Sequence, residues 1–189
     1  DEQGNGILAD YGISGVSVDG GAIMAKAAYI LHQAPESKID NTIDIQTDLY
    51  QFGCTAYRLA NSVSDNTFCN FQPYVPRKVV SIIKKAINTD RTKRYTSALE
   101  IRRDLEKLYF SGYWDIATDG TLIGKGKNYD YIFNVVPKVN GVFDFETYQI
   151  KIDSGRKTKI GKFCATSLVK KELAKKEKSF FEWVINNAK

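Results

Sequence analysis

The residues able to do chemistry in this 189-residue chain are a few carboxylates and one arginine, set in four short stretches. Asp10 follows the apolar run Gly6-Ile7-Leu8-Ala9 and precedes Tyr11-Gly12, where its carboxylate can cap a turn. Ala34-Pro35-Glu36 can open a helix, and Asp48 in Thr47-Asp48-Leu49-Tyr50-Gln51-Phe52-Gly53 is suited to cap a first helical turn. Arg94 closes the stretch Asp90-Arg91-Thr92-Lys93-Arg94. Singly, each is an ordinary turn or helix signal; the order and spacing carry the information. The cysteines Cys54, Cys69 and Cys164 are odd in number and widely spaced, and His32 is the one histidine. That composition argues against a zinc site and for reduced, buried or half-buried thiols.

Helical periodicity surrounds these stretches. Leu49, Phe52, Gly53, Ala56, Tyr57 and Ala60 predict a buried helix over 47–59, capped by Thr47 or Asp48. Pro73 and Pro76 make 61–76 loop-like. A second helix is predicted over 77–87, with Val79, Ile82, Ile83 and Ala86 on one face. A third begins at Ser97-Ala98-Leu99-Glu100, a capping-box spacing, and carries Leu99, Ile101, Leu105 and Leu108.

Taken in order, an Asp-aromatic-Gly, a loop, an Ala-Pro-Glu, an Asp-x-Tyr-x-x-Gly helix and a distal Asp-x-x-x-Arg before a last helix resemble the C-terminal lobe of a eukaryotic-like, Ser/Thr-type protein kinase. The resemblance covers residues 1–108. It implies that Asp10 is the magnesium ligand, a hard oxygen donor to a cation bridging ATP phosphates. Tyr11 stands where phenylalanine is usual, and Gly12 lets the chain turn into the activation segment. By the same resemblance Glu36 pairs with Arg94 in a structural ion pair. Asp48 then holds the catalytic loop from below, and Ala34, Pro35 and Gly53 complete the structural motifs.

The departures are specific. Tyr29 replaces a threonine seven residues before Glu36, and His32 replaces a tyrosine, so Ser/Thr specificity does not carry over with the fold. Between Gly12 and Ala34 the hydroxyl phosphosites are Ser14 and Ser17, both early, which argues against switching by activation-loop phosphorylation. The connection after the Asp48 helix is short, and the family's extra helix there is reduced or lost. No Gly-rich phosphate loop, strand lysine or catalytic-loop Asp precedes Asp10. Phosphoryl transfer needs those groups together, so the chain by itself is expected to be inactive and to bind neither Mg2+ nor ATP. Asp1-Glu2-Gln3-Gly4-Asn5 reads as a cut end just after the catalytic loop.

Past Phe110-Ser111-Gly112 the period changes to two. Tyr129, Tyr131, Phe133 and Val135 alternate, as do residues 142–152, with hairpin turns at Asp119-Gly120, Asn140-Gly141 and Asp153-Ser154-Gly155. Helix returns near Leu168, and Ser179-Phe180-Phe181-Glu182 gives a further capping-box spacing. Residues 1–110 carry 13 Lys+Arg and 13 Asp+Glu, whereas 111–189 carry 14 and 9, so the rear holds the whole excess of +5. Lys125, Lys127, Arg156, Lys157, Lys159, Lys162, Lys170, Lys171, Lys175, Lys176 and Lys178 make it basic. A solvated or protein-binding surface is favoured there over nucleic acid, because no stacking-aromatic motif accompanies the charge.

The expected fold is α+β: a partial kinase C-lobe over 1–110, then a small antiparallel β domain over 111–189 closed by a C-terminal helix. The expected function is that of the rear part of a cytoplasmic protein kinase using Mg2+ and ATP on protein hydroxyls. Its partners would be the missing N-terminal kinase half and a protein substrate, with no membrane. A non-catalytic, pseudokinase-like scaffold whose basic domain binds a protein partner or nucleic acid is the alternative.

Overall fold

A computed structural model describes residues 15, 21–24, 32–62, 68 and 70–189. The expected strand over 6–9, the motif Asp10-Tyr11-Gly12, Ser14, Ser17, Tyr29 and Cys69 lie outside the described residues. The fold is α+β, with helices, antiparallel sheets and a C-terminal helix. The chain divides into two compact units. One contains the described residues up to Phe71 with Lys78–Lys107, the other Gln72–Arg77 with Leu108–Lys189.

In the first unit β1 (Ile23–Met24) pairs antiparallel with β2 (Thr42–Ile43), on either side of the short α1 (Ser37–Asp40). The central helix α2 runs over Ile45–Asn61, two residues beyond expectation at each end. Its cap is neither Thr47 nor Asp48 but Asp44. The Asp44 Oδ1 accepts from the N–H groups of Gln46 (2.9 Å) and Thr47 (3.1 Å), and Thr47 Oγ1 accepts from Asp44 N–H at 2.9 Å. This reciprocal box satisfies donors that the first turn leaves without helical partners. Leu49, Tyr50, Gly53, Cys54 and Tyr57 form the buried face. Phe52, expected inside, is 41% exposed.

The helices α3 (Arg77–Ala86) and α4 (Ala98–Glu106) follow. Gly53 lets α2 approach the end of α3: a Cβ there would lie 2.7 Å from both Ala86 Cβ and Ile87 Cγ2. Ser97 Oγ caps α4 by accepting from Glu100 N–H at 3.3 Å. The Glu100 carboxylate does not return to Ser97, as a full box would require. It accepts from the Thr96 N–H and hydroxyl at 3.1 and 2.9 Å. Of the apolar residues expected to carry α4, Ile101 is buried, while Leu99 and Leu105 are exposed.

The second unit is an antiparallel sheet in the order β3 (Tyr113–Ile116), β4 (Leu122–Lys125), β5 (Tyr129–Pro137), β6 (Phe143–Lys151) and β7 (Lys157–Lys159). A further strand, β8 (Ala165–Leu168), also pairs with β6. The long β5–β6 hairpin turns at Asn140 (φ 66°) and Gly141 (φ 70°), a conformation glycine adopts freely and asparagine tolerates. Both edges are guarded against pairing with other chains: β7 carries exposed lysines, and Asp115 Oδ1 caps the Ile116 N–H of β3 at 2.9 Å.

The helix α5 (Lys170–Asn187) closes one face of this sheet. Phe180, Phe181 and Val184 pack against Trp114, Tyr131, Phe133 and Phe145. Gly124 permits that approach, since a Cβ there would meet Val184 Cγ1 at 3.0 Å. Ser179 lies inside this single helix and caps nothing, because Leu173, Phe180 and Val184 share one buried face and keep the helix unbroken across it. Among the described residues no helix is long and apolar enough to cross a membrane.

Candidate functional site

The most organised polar assembly of the first unit is built around Arg94. Its side chain is 0% exposed and that of Glu36 is 16% exposed. The guanidinium forks onto the carboxylate, Nη1 to Oε1 at 2.6 Å and Nη2 to Oε2 at 2.8 Å. Nε donates to the Asn88 carbonyl, and the plane lies 4.8 Å over the Tyr50 ring. Arginine suits this place because its planar fork matches a carboxylate and stacks on an aromatic face. Burial works against the Glu36 charge, but the Arg94 hydrogen bonds and charge outweigh it and hold the carboxyl below its ordinary range.

A second pair, Arg91 with Asp44, extends this assembly. Arg91 Nη2 donates to Asp44 Oδ2, its Nε donates to Gln46 Oε1 at 2.9 Å, and it lies 3.8 Å from Glu36. Asp44 therefore caps α2 and binds the 91–94 turn at once. Burial raises its pKa, but the Thr47 N–H and Arg91 bring it below the usual range. Sequence reasoning missed Asp44, Gln46 and Arg91. The Asp44-x-x-Thr47 capping spacing was the one available signal.

Asp48 is in a different condition. It sits in the first turn of α2, and no hydrogen bond holds its carboxylate among the described residues. Burial first, and then repulsion from Asp44, raise its pKa. It borders an open apolar groove of about 680 Å³ between α2 and α4, lined chiefly by Leu49, Phe52, Ile101 and Leu105. Phe52 and Leu105 line this groove, and among the described residues they have helical neighbours but no cover.

The remaining expected residues are placed as follows. Ala34 is fully buried in a small core with Tyr50 and Cys54, Pro35 is half-buried beside Glu36, and Gly53 marks the α2–α3 approach. His32 Nε2 lies 3.1 Å from Arg58 Nη1. Arginine can only donate, so that nitrogen accepts and the imidazole is neutral. Burial and then the Arg58 charge lower its pKa. Burial pushes the Cys54 thiol up to about 11, so it is an inert packing group. Among the described residues no three His, Cys, Asp or Glu side chains converge as metal ligands. Asp10, Tyr11 and Gly12 lie outside the described residues.

The chain is similar to the probable serine/threonine-protein kinase PknB of Bifidobacterium longum (strain NCC 2705), at 28% identity over 126 residues. The match covers 55% of this chain and 18% of that protein, so the chain spans less than a fifth of its relative. This supports a kinase-like relationship. No family model matches the chain. No solved structure matches it either.

Proposed function

We propose that this chain is the rear part of a protein kinase that transfers the ATP γ-phosphate to protein hydroxyls, and that it works only with a front half carrying the catalytic loop. The observation that carries the reading is the buried, bidentate Glu36–Arg94 pair. Its two members are 58 residues apart, and they are the two that the kinase resemblance couples. The similarity to a Ser/Thr kinase supports the same reading.

In this reading Asp10 would supply one carboxylate to a magnesium ion, and the front half would supply the others. The ion, when bound, neutralises charge on the ATP phosphates. The chain's own residues do the holding. Glu36 and Arg94 fix the end of the activation segment to the 88–94 turn, and Asp44 with Arg91 fix that turn to the start of α2. Asp48, which has no hydrogen-bond partner among the described residues, offers its carboxylate to backbone N–H groups of the catalytic loop. The groove beside it takes apolar side chains of the front half.

The test is reconstitution. Co-expressed with the front half, the chain should support phosphate transfer from ATP to a protein substrate, and Phe52→Glu with Leu105→Glu should abolish the association. A complex that assembles yet transfers no phosphate would replace this reading with that of a scaffold.

A further inference from the structure

Eight of the nine acidic residues of the second unit have an ion-pair or hydrogen-bond partner, and its net charge is positive. Asp130 pairs with Lys125, Asp144 with Lys138, Glu146 with Lys159, Asp153 with Lys151 and Glu182 with Arg77 of the same unit. Asp115, Asp119 and Glu172 accept from the backbone N–H groups of Ile116, Thr121 and Val169. Glu177 is half-buried, and burial raises its pKa. The first half of α5 carries five lysines against Glu172, whose carboxylate accepts from Val169 N–H, and the half-buried Glu177, and no ion pair forms to Lys170, Lys171, Lys175, Lys176 or Lys178 among the described residues.

Lys171, Lys175 and Lys178 are exposed and fall on one face, spanning about 10 Å of helix at 1.5 Å per residue. The arrangement opposes the helix in two ways. Lys170 and Lys171 stand in the first turn, at the positive end of the helix dipole. Lys171–Lys175 and Lys175–Lys178 are like charges at i,i+4 and i,i+3. A bound anion relieves both.

We propose that this face of α5 binds the phosphate backbone of duplex nucleic acid, without reading sequence. Three observations select that partner. Single strands are gripped by stacking on exposed aromatic rings; the exposed rings of this unit, Tyr109 and Tyr113, lie outside α5, and the rings on and beside the lysine-bearing helix are committed. Phe145, Phe180 and Phe181 are buried, Tyr148 lies beneath Lys157 at 4.1 Å, and Trp183 beneath Lys162 at 4.0 Å. A membrane-surface helix needs an apolar face to insert, and that of α5 (Leu173, Phe180, Phe181, Val184, Ile185) is spent on the sheet. What α5 presents is a regularly spaced row of ammonium groups on flexible stems, which can follow a line of phosphates.

Fluorescence anisotropy of the full chain with labelled 20-base-pair DNA and RNA duplexes tests this, with the 20-nucleotide single strand and phosphatidylserine vesicles as competitors. Binding to at least one duplex is expected at 50 mM salt, falling steeply towards 200 mM. Lys171→Glu/Lys175→Glu/Lys178→Glu should weaken it more than tenfold. The log–log salt slope of Lys171→Gln/Lys175→Gln/Lys178→Gln should be shallower by about 2.7, at roughly 0.9 per lost phosphate contact. All three positions are exposed, so circular dichroism should show the helix intact. No duplex binding at 50 mM salt, unchanged binding by the variants, or tighter binding to the single strand or to vesicles would each overturn the proposal.

Discussion

Replacing Glu36 by glutamine removes one charge from the Glu36–Arg94 pair while keeping its size. The Arg94 side chain is 0% exposed, so its charge would remain buried with no counter-ion in direct contact. Breaking a buried pair from one side costs about 3–5 kcal/mol. Glutamine can still accept one of the two hydrogen bonds, and Glu36 is itself 16% exposed, which places the loss near the lower end, about 3 kcal/mol. Removing Arg94 strands Glu36 less severely, because Arg91 lies 3.8 Å away. Replacing both by apolar residues of similar volume, Glu36→Leu with Arg94→Met, should cost less than Glu36→Gln alone. The assay is native-state hydrogen exchange at the Cys54 and Tyr57 amides, in the middle of α2. A loss of about 3 kcal/mol appears there as exchange faster by roughly two orders of magnitude, at 1.4 kcal/mol per tenfold. Exchange within threefold of wild type, or a double variant whose losses simply add, would refute the reasoning.

Four further outcomes follow from the same unit. Gly53→Ala gains up to about 1 kcal/mol of helix propensity, but its methyl meets Ala86 and Ile87 at 2.7 Å. Overpacking at about 1–3 kcal/mol should win, and a raised denaturation midpoint would show that the helices can part without cost. Asp44→Ala should lose about 1 kcal/mol of cap plus under 1 kcal/mol of ion pair, while Asp44→Asn keeps most of the cap; urea titration of the two variants separates the terms. The pH dependence has a definite sign. Glu36, Asp44 and His32 have folded pKa values below their unfolded ones, so the unfolded chain binds more protons. Their contribution is whole above the unfolded values, about 6.5 for histidine and about 4 for the carboxyls, and is lost as pH falls through the folded ones. Asp48 has the opposite sign, its pKa being raised, so Asp48→Asn should stabilise the isolated chain at neutral pH. A urea midpoint that falls on this substitution would contradict the account of that carboxylate.

What could be read beforehand depended on how local the cause was. The hairpin at Asn140-Gly141 was legible because turn chemistry and period-two alternation lie side by side in sequence. The start of α2 was misread because Thr47 and Asp48 both resemble caps. Asp44 prevails because Thr47, in the third helical position, returns a bond that Asp48 is too far along to make. Ser179 misled for a similar reason: its spacing is that of a helix start, but the buried face of α5 runs through it. Glu36 and Arg94 could be coupled only through the order of a whole set of motifs. Asp44–Arg91 had no such guide, and a residue's partner 47 positions away has no local signature. Phe52 and Leu105 look like core residues by period alone, since period does not say whether a second element is there to cover them.

The central claim is that this chain completes a kinase and that Asp10 serves its metal. The most direct measurement is transfer of labelled γ-phosphate to a protein substrate by the chain together with its front half, comparing wild type with Asp10→Ala. The account predicts transfer by the wild-type pair and its loss in Asp10→Ala, with α2 hydrogen exchange unchanged. Equal transfer by both, or none by either, would contradict it.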